Sequence, residues 1–436
     1  MKTPGTRSPT TRTPAEAAAS FDRSVQAALA RYTGGLSPVS LGLALADWAW
    51  HLAGSPGTMA RLAAQAPLAA LEALHKAAQG LDGEPGDPRF ADAAWSVWPF
   101  AAAATLHHAA EQWWQDATTL RGQEHHHHDV VQLFARQWLD MMSPSNWPWS
   151  NPQVLQATAR SHGDNLRRGL AHALDDWRRS QGLAPLQDPG PTHRPGHEVA
   201  CTPGQVVYRN HLVELIQYAP QTPKVQRAPV FIVPSWIMKY YVLDLSPHNS
   251  MVRWLVGQGH TVFMLSWRNP DEGDALLDME DYARLGVLDP LAAVSALTGG
   301  VPIHGVGYCL GGTLLAIAAA ALARRQGVQG GEVIAPLATL TLLAAEVDFR
   351  EPGELDILVD EAQVAMLEDV MAERGFLTGR QMAASFQFLH ARDLIWSTRM
   401  REYLLGERDA PSDLMAWNAD LTRMPATMHS PYLHSL

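Results

Sequence analysis

The residues that most directly suggest chemistry are Gly307-Tyr308-Cys309-Leu310-Gly311-Gly312, in which a thiol has glycine two positions to either side. They lie between the apolar run Val301 to Val306 and an Ala/Leu-rich stretch that opens at Thr313. A sharp strand-to-helix turn holds its nucleophile in a strained backbone conformation, and the flanking Gly307 and Gly311 admit neighbouring main chain where a Cβ would collide. Cys309 then projects from the end of a sheet, and the N-terminal dipole of the next helix is directed at its sulfur, which favours thiolate. The Leu310 N–H is placed to stabilise an oxyanion formed by attack on a carbonyl. The chemistry expected is nucleophilic attack by the Cys309 thiolate. Taken alone, the same motif also suits a small buried cysteine in an ordinary strand–helix connection.

Other reactive residue types carry weaker signals. His304 falls inside the apolar run before Cys309, where a packed histidine is expected. Cys201 stands in a Pro/Gly-rich segment without a partner motif and reads as incidental. The run His125 to His128 is expected to be a solvated loop between helices, since clustered histidine alone is poor evidence for a metal. No metal or organic cofactor is indicated. Asp271 reads as a loop carboxylate that caps local backbone or orients Arg268, and the Trp-rich stretch Ser143 to Pro152 as packing at a domain junction.

The elements that position Cys309 emerge from hydrophobic period. Residues 1–20 mix Pro, Thr, Ser and Arg and are expected to be a disordered leader. Residues 21–195 show helical spacing, as in Val130, Leu133, Phe134, Trp138 and Met141, and read as a helical domain. The composition then turns to Pro, Gly, Asp and His between Leu183 and Gly204, a linker. Within 196–349, short apolar runs at Val230 to Val233, Thr261 to Ser266, Val301 to Val306 and Leu337 to Ala344 alternate with helical patterns, which indicates an α/β core with a mostly parallel sheet. Residues 350–436 return to helical patterns, Val359 to Glu373 and Met382 to Leu389 among them, and read as a helical cap.

The 436 residues carry 33 basic and 44 acidic side chains, a formal charge of -11 that argues against nucleic acid as a partner. Two cysteines give no disulfide framework and suit a reducing compartment, so the cytoplasm is expected. The longest apolar run, Leu314 to Ala323, is too short for a transmembrane segment.

Several motifs agree in order with one family. GYCLGGT at the turn is preceded by FIVPSWIMKYYVLDLSPHNSMVRWLVGQGHTVFMLSWRNPD, with FARQWLDMMSPSNW at Phe134 to Trp147, YRNHLVELIQYAP at Tyr208 to Pro220 and DLMAWNADLTRMP at Asp413 to Pro425. Together they resemble class I polyhydroxyalkanoate synthases, with Ser235 and Met238 standing where the family more often has Pro and Asn.

The resemblance implies an α/β-hydrolase-type fold and polymerisation of (R)-3-hydroxyacyl-CoA, with Cys309 accepting the acyl group, CoA leaving, and a hydroxyl extending a growing polyester chain. CoA is then part of the substrate. The resemblance further implies the backbone amide of Ile237 as a second oxyanion donor, a protein at the polymer granule surface, and a homodimer. It implies packing for Trp417. The family's acid and base lie further toward the C-terminus, on loops after the last strands, and Leu436 is reached before such strands appear; the expectation is a truncated chain with an incomplete sheet. His304, which precedes the nucleophile, is on the wrong side of it to be the base. His390, His429, His434 and the eight aspartates from Asp348 to Asp420 lack the expected strand-loop context, so no acid or base is assigned. Two further readings stay open: a non-catalytic partner that binds granules or a full-length synthase, and a thioesterase or esterase of the same fold.

Overall fold

The computed structural model describes residues 13–79, 86–186, 193–326, 337–350 and 352–434. Of the leader expected over 1–20, residues 1–12 lie outside this set, whereas α1 (Pro14–Thr33) already covers 14–20. The reason is a capping box: the Thr13 side chain accepts from the Glu16 N–H, the Glu16 carboxylate accepts from the Thr13 N–H, and Pro14 presets the first turn.

The N-terminal region continues with α2 (Pro38–Ala53), α3 (Pro56–Ala78), α4 (Phe100–Thr118), α5 (His125–Met142), α6 (Pro152–Ser161) and α7 (Asp164–Ser180). Helix α3 packs on α4, and α2 on α5 through Ala44, Val130 and Val131. The His125 to His128 run forms the first turn of α5 rather than the expected loop. Glu124 caps it, accepting from the His127 N–H at 2.8 Å, and Asp47 and Asp129 lie 3.0 and 2.8 Å from the Nδ1 atoms of His127 and His128. Carboxylate partners thus let a polar run join the apolar stripe that follows.

The central sheet comprises β1 (Gly204–Arg209), β2 (Val213–Tyr218), β3 (Val230–Val233), β6 (Val262–Trp267), β7 (Ile303–Tyr308) and β8 (Leu337–Leu343), ordered β1-β2-β6-β3-β7-β8. A small hairpin, β4 (Asp244–Ser246) with β5 (Asn249–Ser250), and α8 (Met251–Gly257) come before β6. Strands β6, β3, β7 and β8 are mutually parallel, and β2 joins β6 antiparallel with β1 outside it. The mostly parallel α/β core is as expected, with the β1–β2 hairpin added.

Parallel strands are covered on both faces, so successive side chains enter different layers. Phe231, Val233, Phe263 and Leu265 pack with Leu291, Val294, Leu314 and Leu315, while Ile232 and Met264 pack on the opposite side with Val252 and Val256. The first layer is built by α10 (Asp289–Thr298) and α11 (Leu310–Gln326). Helix α9 (Met279–Asp281) runs into α10 through a π-helical turn, Tyr282–Leu288. Gly286 lies in that turn because a Cβ there would stand 2.4 Å from the Trp267 ring.

After β8 the chain is helical again: α12 (Glu361–Ala372), α13 (Gly379–Leu389), α14 (Ser397–Arg399), α15 (Asp413–Ala419) and α16 (Ala426–Leu433), with β9 (Phe376–Leu377) paired to β10 (Met424–Pro425). Trp417 is buried with Val199, Tyr241 and Leu245, and its indole N–H donates to the Lys239 carbonyl at 2.8 Å, a packing role.

A buried ionic cluster joins this segment to the N-terminal helices. Arg89 donates to Asp87 at 2.7 Å, Glu111 at 2.8 Å and Asp140 at 3.1 Å, and Arg392 donates to Asp140 at 2.9 Å. Burial alone would raise the Glu111 carboxyl, but hydrogen bonds from His107, His108 and Arg89 bring it far below the usual range. Among the described residues no helix is long and apolar enough to cross a membrane.

Candidate active site

Strand β7 runs between β3 and β8, ends at Tyr308, and gives way to α11 at Leu310. Cys309 alone occupies the turn, with φ of 52°. A left-handed conformation costs an L-residue about 1–2 kcal/mol and persists only where its surroundings enforce it. Here the Cys309 N–H donates to Leu343 O at 2.9 Å, and its carbonyl accepts from Gly312 N at 2.8 Å and Thr313 N at 3.3 Å. The Thr313 hydroxyl donates to Glu346 O at 2.7 Å, tying the helix to the segment after β8.

The three glycines answer separate close approaches. A Cβ on Gly307 would lie 2.3 Å from Gly312 Cα, and one on Gly312 would lie 2.5 Å from the Ala345 Cβ. On Gly311 it would lie 2.3 Å from both Val233 O and Pro234 O. The start of α11 is therefore pressed against the end of β3, so the loop that follows β3 sits beside Cys309.

That loop, Pro234 to Met238, is fixed from two directions. The Trp267 indole donates to Pro234 O at 2.8 Å, while Thr422 donates through its hydroxyl to Trp236 O at 2.8 Å and through its N–H to Ile237 O at 3.2 Å. Among the described residues the Ile237 N–H has no backbone acceptor. The Leu310 N–H opens α11, where an amide has no intrahelical acceptor. Both residues named from the sequence thus stand on segments adjoining Cys309, a free and partly buried thiol.

Helix α16 closes over this region. Tyr432 packs against the main core, its ring edge-on to Trp236 and Phe349 with centroids 6.3 and 6.0 Å away. Burial, then the charges of Cys309 and Glu346, push its phenol up to about 12. Burial also pushes the Tyr308 phenol up, with Cys309 adding to it. Sequence reasoning missed Tyr432 and Thr422, since neither forms a local pattern with the thiol.

The remaining candidates lie in other roles. His304 pairs with the Thr339 hydroxyl at 2.9 Å across β7 and β8. His390 stands 3.9 Å from Glu354, and His434 follows the end of α16. His429 is buried in α16, where desolvation holds its imidazole down to about 4. Among the described residues none of these makes a hydrogen bond to Cys309. Asp271 accepts from Gly273 N at 2.9 Å and from Arg268 at 3.1 Å, combining the two roles expected of it. Cys201 donates to His197 O at 2.8 Å. Asp87, His108 and Glu111 place ligand-type atoms within 4.8 Å of one another, but the Arg89 guanidinium already supplies the cation there.

Similarity to known proteins covers both halves of this architecture. Residues 86–255 match the family described as poly-beta-hydroxybutyrate polymerase (PhaC) N-terminus, residues 16–58 match poly-beta-hydroxybutyrate polymerase N terminal, and residues 228–428 match the alpha/beta hydrolase fold. A poly(3-hydroxyalkanoate) polymerase of Methylorubrum extorquens is 42% identical over 305 residues, 70% of this chain and 49% of that protein. Its counterpart from Rhizobium etli is 39% identical over 69% of this chain and 46% of that protein, and one from Cupriavidus necator 35% over 80% and 58%. The chain thus spans about half the length of the curated relatives it matches. It has the α/β-hydrolase fold and belongs to the poly-beta-hydroxybutyrate polymerase family.

Proposed function

We propose that the chain carries the acyl-accepting centre of a polyester synthase. The Cys309 thiolate attacks the thioester carbonyl of an (R)-3-hydroxyacyl-CoA, and the N–H groups of Leu310 and Ile237 hydrogen-bond the resulting oxyanion. Collapse of that intermediate breaks the bond to the CoA sulfur, CoA leaves as thiolate and takes a proton, and the acyl group remains on Cys309. Thioester exchange is nearly balanced in energy, so a thiol suits both uptake of the acyl group and its later transfer to a hydroxyl. Repeated transfer to the hydroxyl of another acyl unit lengthens the polyester. The observation that carries the reading is the left-handed Cys309, held between β7 and α11 by three close glycine contacts.

An apolar product suits work at the surface of a cytoplasmic polymer inclusion, and a homodimer belongs to the same proposal. An apolar groove of about 630 Å³ between the N-terminal helices and the cap, lined by Trp48, Phe134, Trp138 and Trp396 among others, favours a second, granule-binding role. The test is intact-protein mass spectrometry after mixing with (R)-3-hydroxybutyryl-CoA, with free CoA measured in parallel. One acyl group on Cys309 matched by released CoA, both lost in Cys309→Ala, is expected. A folded wild-type chain that forms no adduct would overturn the proposal.

A further inference from the structure

Buried polar atoms without a hydrogen-bond partner are uncommon in folded proteins, and each points to strain, to bound water or to a ligand. Among the described residues, two segments beside Cys309 carry four of them: Ser235 Oγ and Trp236 Nε1 in the loop after β3, and His429 Nδ1 and Ser430 Oγ in α16. All belong to residues at least nine-tenths buried, with Ser235 and Trp236 only 1% exposed. The ring contact between Trp236 and Tyr432 brings the loop and the helix together. The Gly311 contacts with Val233 O and Pro234 O set that loop against the start of α11.

An indole N–H donates and cannot accept, so whatever satisfies Trp236 must present an oxygen or similar acceptor. A hydroxyl as on Ser430 both donates and accepts. We propose that the Trp236 indole N–H, together with the Ser430 hydroxyl, hydrogen-bonds the oxygen substituent of an acyl group brought to Cys309, making Trp236 a specificity-determining residue for oxygen-substituted acyl thioesters. An acyl chain without that oxygen leaves the donor buried and unpaired, the circumstance under which a polar site discriminates most strongly. The inference rests on the proposed acyl-accepting role of this site.

The experiment therefore separates binding from chemistry. Dissociation constants of (R)-3-hydroxybutyryl-CoA and butyryl-CoA are measured by calorimetry on the full chain carrying Cys309→Ala, alone and combined with Trp236→Phe or Ser430→Ala. Acylation rates are measured for both thioesters in chains that retain Cys309. Phe keeps an aromatic ring for contact with Tyr432 and removes the donor together with part of the indole's volume, a packing change that Ser430→Ala does not share. The expected result is about a tenfold preference for the hydroxylated thioester that falls to near unity in Trp236→Phe, with butyryl-CoA affinity unchanged. Ser430→Ala should reduce the preference in the same direction, which guards against a folding defect in either variant. An equal preference with and without the indole N–H, as bound water would give, overturns the inference. A preference that depends on Trp236 without acylation of Cys309 would sustain it while removing the acyl-transfer reading.

Discussion

Gly311→Ala tests the approach of α11 to the end of β3 in the candidate site. The new Cβ would stand 2.3 Å from two carbonyl oxygens, Val233 O and Pro234 O, whereas ordinary contact begins at about 3.4 Å, so about 1 Å must be made up. Both obstacles are backbone, and neither can rotate away. Overpacking of this kind costs about 1–3 kcal/mol of stability. The displacement falls either on the start of α11, which bears the Leu310 amide, or on the loop that bears the Ile237 amide. Loss of one oxyanion donor lowers turnover about 10²–10³-fold, and a 1 Å misplacement alone about 10²-fold. The variant should therefore remain folded at low temperature and acylate at least about 10²-fold more slowly, measured as the rate of adduct formation on Cys309. Gly299→Ala is the control: its φ is 71° but nothing lies within 4 Å of the added Cβ, so it should lose about 1 kcal/mol and keep its acylation rate. A folded Gly311→Ala protein that acylates within threefold of wild type would refute the reasoning.

Cys309→Gly should raise stability by about 1 kcal/mol in urea unfolding while abolishing the adduct, because glycine adopts φ of 52° without strain; a destabilised variant would mean that the side chain contributes more packing than strain. His429 has a folded pKa of about 4 against an ordinary 6.5, so the unfolded chain binds the proton first and stability falls as pH drops from 6.5 toward 4. Between pH 7 and 5 this residue should account for a loss of about 2 kcal/mol, absent from His429→Phe; equal losses in the two proteins would contradict the assignment. Arg89→Ala leaves three carboxylates around a vacated cation site and should cost about 3–5 kcal/mol by chemical denaturation. The lowered Glu111 carboxyl contributes stability above its ordinary pKa of 4.5 that is lost as pH falls below it, so the Arg89→Ala penalty should shrink in acid.

The parallel strands were legible because burial on both faces leaves uninterrupted apolar runs, as in Val230 to Val233 and Val262 to Trp267. The β1–β2 hairpin was not, because β1 is largely exposed and Glu214 and Gln217 interrupt the apolar pattern of β2. Its turn did leave a trace in Asn210, whose side chain accepts from the Leu212 and Val213 N–H groups at 2.9 Å. Composition misjudged 14–20 and the four histidines, where the deciding interactions were a cap and carboxylate partners. Cys309 and its glycines could be read because a sharp turn is a local demand. Tyr432 and Thr422 reach the same region only through tertiary packing, which no spacing rule encodes.

The clamp on the Pro234 to Met238 loop also has a consequence in time. Thr422, which holds Trp236 and Ile237, is separated from Trp236 by 186 residues. At a synthesis rate of about 5–20 residues per second, the loop leaves the ribosome roughly 10–40 s before the residue that fixes it. Once Cys309 has been made, and until Thr422 follows it, the thiol stands on a nascent chain whose neighbouring loop has yet to receive its final hydrogen bonds. The order of synthesis thus delays assembly of the site until the C-terminal helices arrive, and a ribosome-bound chain released short of Thr422 would carry the thiol without the shape around it.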